Sequence, residues 1–152
     1  MRYSIESKFT FEYGHVLKNA YMTACSDTCH GHSGKVFVKI STDKLNEDGM
    51  VADFKKVKEA INPVIEMLDH SFLIAKDDKR LNAMKKNNKK LLVLKEKCFE
   101  RFNYNPTAEA IAHYLYSVII IRLPIELGVV NKDFKLSIRF YETEKNCVIV
   151  EE

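Results

Sequence analysis

The chain has 152 residues, 46% hydrophobic and 30% charged, a globular balance that suits one domain and excludes a disordered or fibrous chain. A net charge of +3 is too small to point to nucleic acid. The start, Met1-Arg2-Tyr3-Ser4-Ile5-Glu6-Ser7-Lys8, has no apolar secretion core, and apolar runs such as Tyr114 to Ile121 are too short to span a bilayer. A cytoplasmic protein without membrane contact is therefore expected. In that compartment Cys25, Cys29, Cys98 and Cys147 are expected as free, metal-bound or catalytic thiols rather than disulfides.

Residues 5–17 alternate, with Phe9, Phe11, Tyr13, His15 and Leu17 on one face and Thr10, Glu12 and Gly14 on the other. That pattern predicts a half-buried strand. Residues 30–41 alternate too, with His30, His32, Val36, Val38 and Ile40 opposite Lys35, Lys39 and Ser41. Gly49 closes a turn. Asp53 is then placed to cap a helix running to about Leu68, with Phe54, Val57, Ala60, Ile61, Val64, Ile65 and Leu68 as its apolar stripe and Pro63 as a kink.

Residues 76–97 carry nine Lys/Arg against three acids, so this stretch holds +6 and the rest of the chain −3. It reads as a solvated surface excursion, or as a rim that attracts an anionic substrate. Leu91-Leu92-Val93-Leu94 reads as a short strand. A second helix is expected from Pro106-Thr107 to about Arg122, with Pro124 ending it. Residues 134–142 alternate again, and Asn146 to Glu151 forms a last strand after a tight turn. Strand pairs at both ends with helices between them predict an α+β fold: an antiparallel sheet with the helices on one face. Residues 1–152 are expected to form a single domain with a variable basic segment at about 76–97.

Strand side chains repeat with period two, so His30 and His32 point the same way, and His15 lies on the apolar face of the first strand. Two neighbouring strands would bring the three imidazoles together. Three histidines leave a coordination position open, as catalytic zinc sites do. A lone histidine reads as a hydrogen-bonded core or surface residue, but His-x-His on an apolar strand face with a third histidine opposite favours a metal. A structural site from Cys25, Cys29, His30 and His32 is the rival. It is weakened because adjacent Cys29 and His30 would point to opposite faces.

The ordered set His15, Cys25, Cys29-His30-Gly31-His32, Gly49-Met50-Val51-Ala52-Asp53-Phe54, Leu68-Asp69-His70, Pro106-Thr107-Ala108-Glu109 and Tyr141-Glu142-Thr143 resembles the successive motifs of the 6-pyruvoyl-tetrahydropterin synthase / 6-carboxy-tetrahydropterin synthase family. The resemblance implies a tunnelling fold, in which a four-stranded antiparallel sheet carries two helices on one face. Trimers of that fold close a barrel, and a trimer or dimer of trimers places the sites between subunits. It also implies Zn²⁺ on His15, His30 and His32 and a pterin triphosphate substrate, 7,8-dihydroneopterin triphosphate.

The implied reaction is a lyase conversion to 6-carboxy-5,6,7,8-tetrahydropterin for queuosine-type synthesis, with loss of triphosphate and acetaldehyde. A 6-pyruvoyl-tetrahydropterin synthase and a non-catalytic zinc or pterin-binding protein stay open as alternatives. Zinc as a Lewis acid would acidify the C–H beside the substrate's hydroxyls. Cys25 is the candidate base, since a thiolate near a metal and an imidazole has a lowered pKa. Asp69 and His70 resemble the family's proton-relay pair. Glu142 matches the residue that accepts two pterin N–H donors and joins the relay. Thr107 and Glu109 match other pterin-site positions, although by themselves they also read as a helix N-cap and a first-turn acid. Four residues separate Cys25 from His30, a spacing that differs from both branches of the family, and Cys29 is expected to face away from the metal.

Overall fold

The computed structural model describes residues 1–19, 23–128 and 134–152. Strands β1 (Tyr3–His15) and β2 (His30–Thr42) form a long antiparallel pair in register from Tyr3 opposite Thr42 to His15 opposite His30, with a short helix α1 (Thr23–Asp27) in the connection. Then follow α2 (Phe54–Leu68), β3 (Ser71–Ala75), α3 (Leu81–Asn87), β4 (Leu91–Leu94), a 3-10 turn at Lys97–Phe102, α4 (Ala108–Leu127), β5 (Phe134–Tyr141) and β6 (Cys147–Glu151).

The expected antiparallel strands are present as β1, β2, β5 and β6, and α2 and α4 pack on their buried face. The sheet is larger than four strands, however. Its order is β4-β3-β1-β2-β5-β6, and β3 and β4 add to the β1 edge in parallel. The sequence Ser71-Phe72-Leu73-Ile74-Ala75 has no alternation because Leu73, Ile74 and Ala75 are all buried, so both faces of the strand are covered. Short parallel strands of this kind lack the period-two signal.

One face of the sheet supplies Phe9, Phe11, Tyr13, Val36, Val38, Ile40, Leu136, Ile138 and Phe140 to the core. Helix α2 lays Val57, Ala60, Ile61, Val64, Ile65 and Leu68 onto it. Each fully buried branched side chain there contributes about 1.5–3 kcal/mol. The helix starts where expected, because the Asp53 carboxylate accepts the Lys55 N–H at 2.7 Å.

Pro124 does not end α4. The helix runs one turn further, to Leu127, and stops at Gly128, whose φ of +63° is left-handed and whose N–H reaches the Ile125 carbonyl. A proline there costs one hydrogen bond near the helix end, while Leu123 beside it is fully buried. Helix α4 is long and apolar enough in length and composition to cross a membrane. Its Ala110, Ile111, Ala112, Leu115, Ile119 and Leu123 are nevertheless buried where it packs on α2 and the sheet, as in a core helix.

Candidate metal centre and its groove

The β1–β2 register puts His15 directly opposite His30, and His32 one pleat further along the same face. The Nε2 atoms of His30 and His32 lie 3.0 and 3.1 Å from Nε2 of His15. All three ligand atoms fall within 4.8 Å of one another, the one such His/Cys/Asp/Glu cluster among the described residues. His15 is buried at 2% exposure, and its Nδ1 lies 2.7 Å from the Pro106 carbonyl. Nδ1 of His30 lies 2.9 Å from the Thr28 carbonyl.

These two contacts determine the tautomer. A carbonyl only accepts, so each Nδ1 must carry the proton, and a neutral imidazole then presents a bare Nε2. Two bare lone pairs facing each other at 3.0 Å repel unless a cation lies between them. A tetrahedral ion with M–N of about 2.0–2.1 Å would set its nitrogens about 3.3–3.4 Å apart, close to the spacing here. The backbone carbonyls play the orienting part that carboxylates and carbonyls play behind most metal-bound histidines. Burial holds the His15 and His32 imidazoles below the usual range, against the raising effect of Glu142 on both and of the Pro106 carbonyl on His15. Both rings therefore stay neutral to lower pH, as a ligand must.

Glu142 follows β5 on the same inner face. Its Oε1 lies 3.7 Å from Nε2 of both His15 and His32, and it accepts the Tyr13 hydroxyl at 3.1 Å. The Tyr13 phenol is pushed up by burial and then by the Glu142 charge, so it remains a donor. Among the described residues these contacts all fall on Oε1, and the side chain is 29% exposed.

Asp69 and His70 sit outside the triad, at the corner between α2 and β3. Asp69 Oδ1 accepts the Glu12 N–H at 2.8 Å, Oδ2 lies 2.8 Å from His70 Nδ1, and the His70 N–H reaches the Glu12 carbonyl. The Glu12 amide, then His70, hold the Asp69 carboxyl below its usual range. His70 has φ +55°, an uncommon conformation for a residue with a Cβ, and its side chain is 78% exposed. Lys90 donates to the carbonyls of Glu66 and Asp69, tying this corner to β4.

An open groove of about 790 Å³ runs past these residues, lined by Glu12, Cys29, His30, His32, His70 and Lys89 among others. Cys29 is exposed and lines this groove. Cys25 is half-buried in α1, its carbonyl bonded to the Leu17 N–H, and does not line the groove. The Thr107 hydroxyl caps α4 by accepting the Ala110 N–H at 3.2 Å, and Glu109 is an exposed first-turn acid. Tyr13 stands two residues before His15 in the alternation, but its residue type alone does not mark it as the partner of Glu142. The carbonyls of Thr28 and Pro106 leave no side-chain signal in the sequence.

The chain is also similar to known proteins over most of its length. A family model described as 6-pyruvoyl tetrahydropterin synthase matches residues 4–152. The 6-carboxy-5,6,7,8-tetrahydropterin synthase of Aquifex aeolicus is 31% identical over 157 residues, covering 94% of each chain. The enzyme of the same name from Rickettsia conorii is 32% identical over 121 residues, covering 79% of this chain and 80% of its own. Among solved structures, 6-pyruvoyl tetrahydropterin synthase from Plasmodium falciparum superposes with a TM-score of 0.75 over 99% of this chain and 98% of its own; at 19% identity it shows the fold. An uncharacterized protein from Wolinella succinogenes is 26% identical, with a TM-score of 0.72 over 100% and 99% of the two chains. The family match over residues 4–152 and the 31% identity held across 94% of the Aquifex relative lead to one conclusion: the chain belongs to the 6-pyruvoyl tetrahydropterin synthase family.

Proposed function

We propose that this protein is a zinc-dependent lyase that converts 7,8-dihydroneopterin triphosphate to 6-carboxy-5,6,7,8-tetrahydropterin, releasing triphosphate and acetaldehyde. The observation that carries the reading is the convergence of three Nε2 atoms beside the partly exposed carboxylate of Glu142. The names of the Aquifex and Rickettsia relatives favour the carboxy product.

His15, His30 and His32 would hold the zinc, which supplies Lewis-acid polarisation of the substrate's side-chain oxygens. The chain's own residues do the rest. Glu142 accepts the two N–H donors on the amino-pyrimidine edge of the pterin, and Tyr13 fixes its carboxylate from behind. Paired charge-assisted acceptors of this kind orient a planar ring. Cys25, which does not line the groove of the single chain, takes the proton from the carbon next to the hydroxyls in the assembled site. His70 carries a proton in the relay, and Asp69 holds its ring in place. Thr107 and Glu109, at the start of α4, complete the pterin site. That start follows directly on Pro106, whose carbonyl orients His15. The working unit is a cytoplasmic homo-oligomer, a trimer or dimer of trimers, in which groups from neighbouring subunits meet.

Purified, zinc-loaded protein incubated with 7,8-dihydroneopterin triphosphate decides the matter through product mass and acetaldehyde detection. A 6-carboxy product with stoichiometric acetaldehyde supports the proposal. A product retaining its three-carbon side chain turns the assignment to a 6-pyruvoyl-tetrahydropterin synthase. No turnover on any dihydropterin leaves a zinc- or pterin-binding protein.

A further inference from the structure

We propose that Arg80, buttressed by the buried carboxylate of Asp78, is a positioning residue for the loop that carries Cys25, so that the basic segment acts on the site from behind rather than as a charged rim. The inference rests on the reading of Cys25 as the base. It begins with the loop between β1 and β2, whose two ends meet where Leu17 donates its N–H to the Cys25 carbonyl at 3.0 Å. That backbone bond brings the carbonyls of Leu17 and Ser26 to the neck of the loop. Both are taken by one guanidinium: Nη1 of Arg80 donates to Ser26 O and Nη2 to Leu17 O. One planar fork thereby staples both ends, which a single-point cation cannot do.

The fork is itself fixed. Asp78 accepts Nε of Arg80 at 2.8 Å on one oxygen and Nη2 at 2.7 Å on the other, and the Arg80 N–H adds a third bond at 2.8 Å. The Asp78 side chain is fully buried, so its charge has been taken out of water to serve this partner. Two further contacts hold the entry to the same loop. Lys18 pairs with Asp77, and the Asn105 amide both accepts the Lys18 N–H and donates to the Lys18 carbonyl. Asn105 directly precedes Pro106, whose carbonyl orients His15. The thiol loop and the metal centre are thus referenced to one framework, and Arg80 is the part of it that comes from the basic segment.

The test compares Arg80→Met, Arg80→Lys and Asp78→Asn with the wild type, using zinc content, KM and kcat. It adds peptide-mapped iodoacetamide labelling of Cys25 against the exposed Cys98 and Cys147. Arg80→Met should lower kcat by about tenfold with KM and zinc content nearly unchanged. Cys25 labelling should rise about fivefold while Cys98 and Cys147 label at wild-type rates, the signature of local opening. Arg80→Lys should fail to restore either property, and Asp78→Asn should shift both in the same direction. Should Arg80→Met prove poorly folded, the other two variants carry the comparison. Unchanged Cys25 labelling overturns the proposal, as does a parallel rise at all three thiols, which reports general loosening. Labelling does not depend on turnover, so failure of the pterin assignment shows separately as an inactive wild type.

Discussion

The division of labour between the two ring nitrogens of His15 and His30 is what makes the triad a candidate ligand set. His15 and His30 each spend Nδ1 on a backbone carbonyl, which leaves Nε2 for an ion. Replacing His30 with Ala removes a ligand without touching the buried His15. Metal analysis of His30→Ala should find zinc far below the roughly one ion per chain expected of the wild type. Added zinc should stabilise the wild type by about 2.7 kcal/mol at a hundredfold excess over Kd and leave the variant's melting temperature unmoved. Glu142→Gln keeps the shape and the Tyr13 contact but loses the charge that would meet the pterin's donors. It should retain zinc while kcat/KM drops by about 10²-fold, read from initial rates on the triphosphate substrate. If Glu142→Gln loses zinc instead, the carboxylate belongs to the metal and not to the ring.

At the scale of the elements, the ends of helices carry most of the local instruction. Asp53 caps α2 through the Lys55 N–H, and Asp53→Ala should cost about 1 kcal/mol, visible as a lower urea midpoint with unchanged slope. The turn from β3 into α3 holds a different kind of anchor. Hydrogen bonds from Arg80 keep the Asp78 carboxyl below the usual carboxylate range. The unfolded chain therefore takes up a proton at Asp78 before the folded protein does. The stability it contributes is fully present above about pH 4, the unfolded value, and is lost as pH falls through the folded one. Urea unfolding of wild type and Asp78→Asn should differ most near neutral pH, with the gap closing as the pH is lowered toward 3. A gap that widens on acidification would contradict the pairing.

For the whole molecule, the sheet ends in two strands, β4 and β6, whose outer edges are unpaired among the described residues. Helix α4 exposes Ile121 and Ile125 at 65% and 72%. Open edges and exposed branched residues are surfaces that natural proteins usually cover. His70 reaches the groove from a corner separate from the triad, and an assembled site between subunits would bring such parts together. Sedimentation of the purified protein should give three or six times the 17.6 kDa chain mass. A stable monomer at micromolar concentration that turns over the pterin would exclude a shared site.

Period-two alternation was enough to find β1, β2, β5 and β6 and to place His15, His30 and His32 on one face, because a strand with one wet side writes its orientation into the sequence. The stripe from Val57 to Leu68 and the Asp53 cap delimited α2 in the same way. Burial on both faces erased that signal in β3, and tertiary packing carried α4 past Pro124. Nothing in the chain's order foretold that backbone carbonyls at Thr28 and Pro106 would choose the histidine tautomers, or that Arg80 would reach back across more than fifty residues to Ser26. Such contacts depend on where the backbone passes in space, and side-chain patterns report only which way each segment faces.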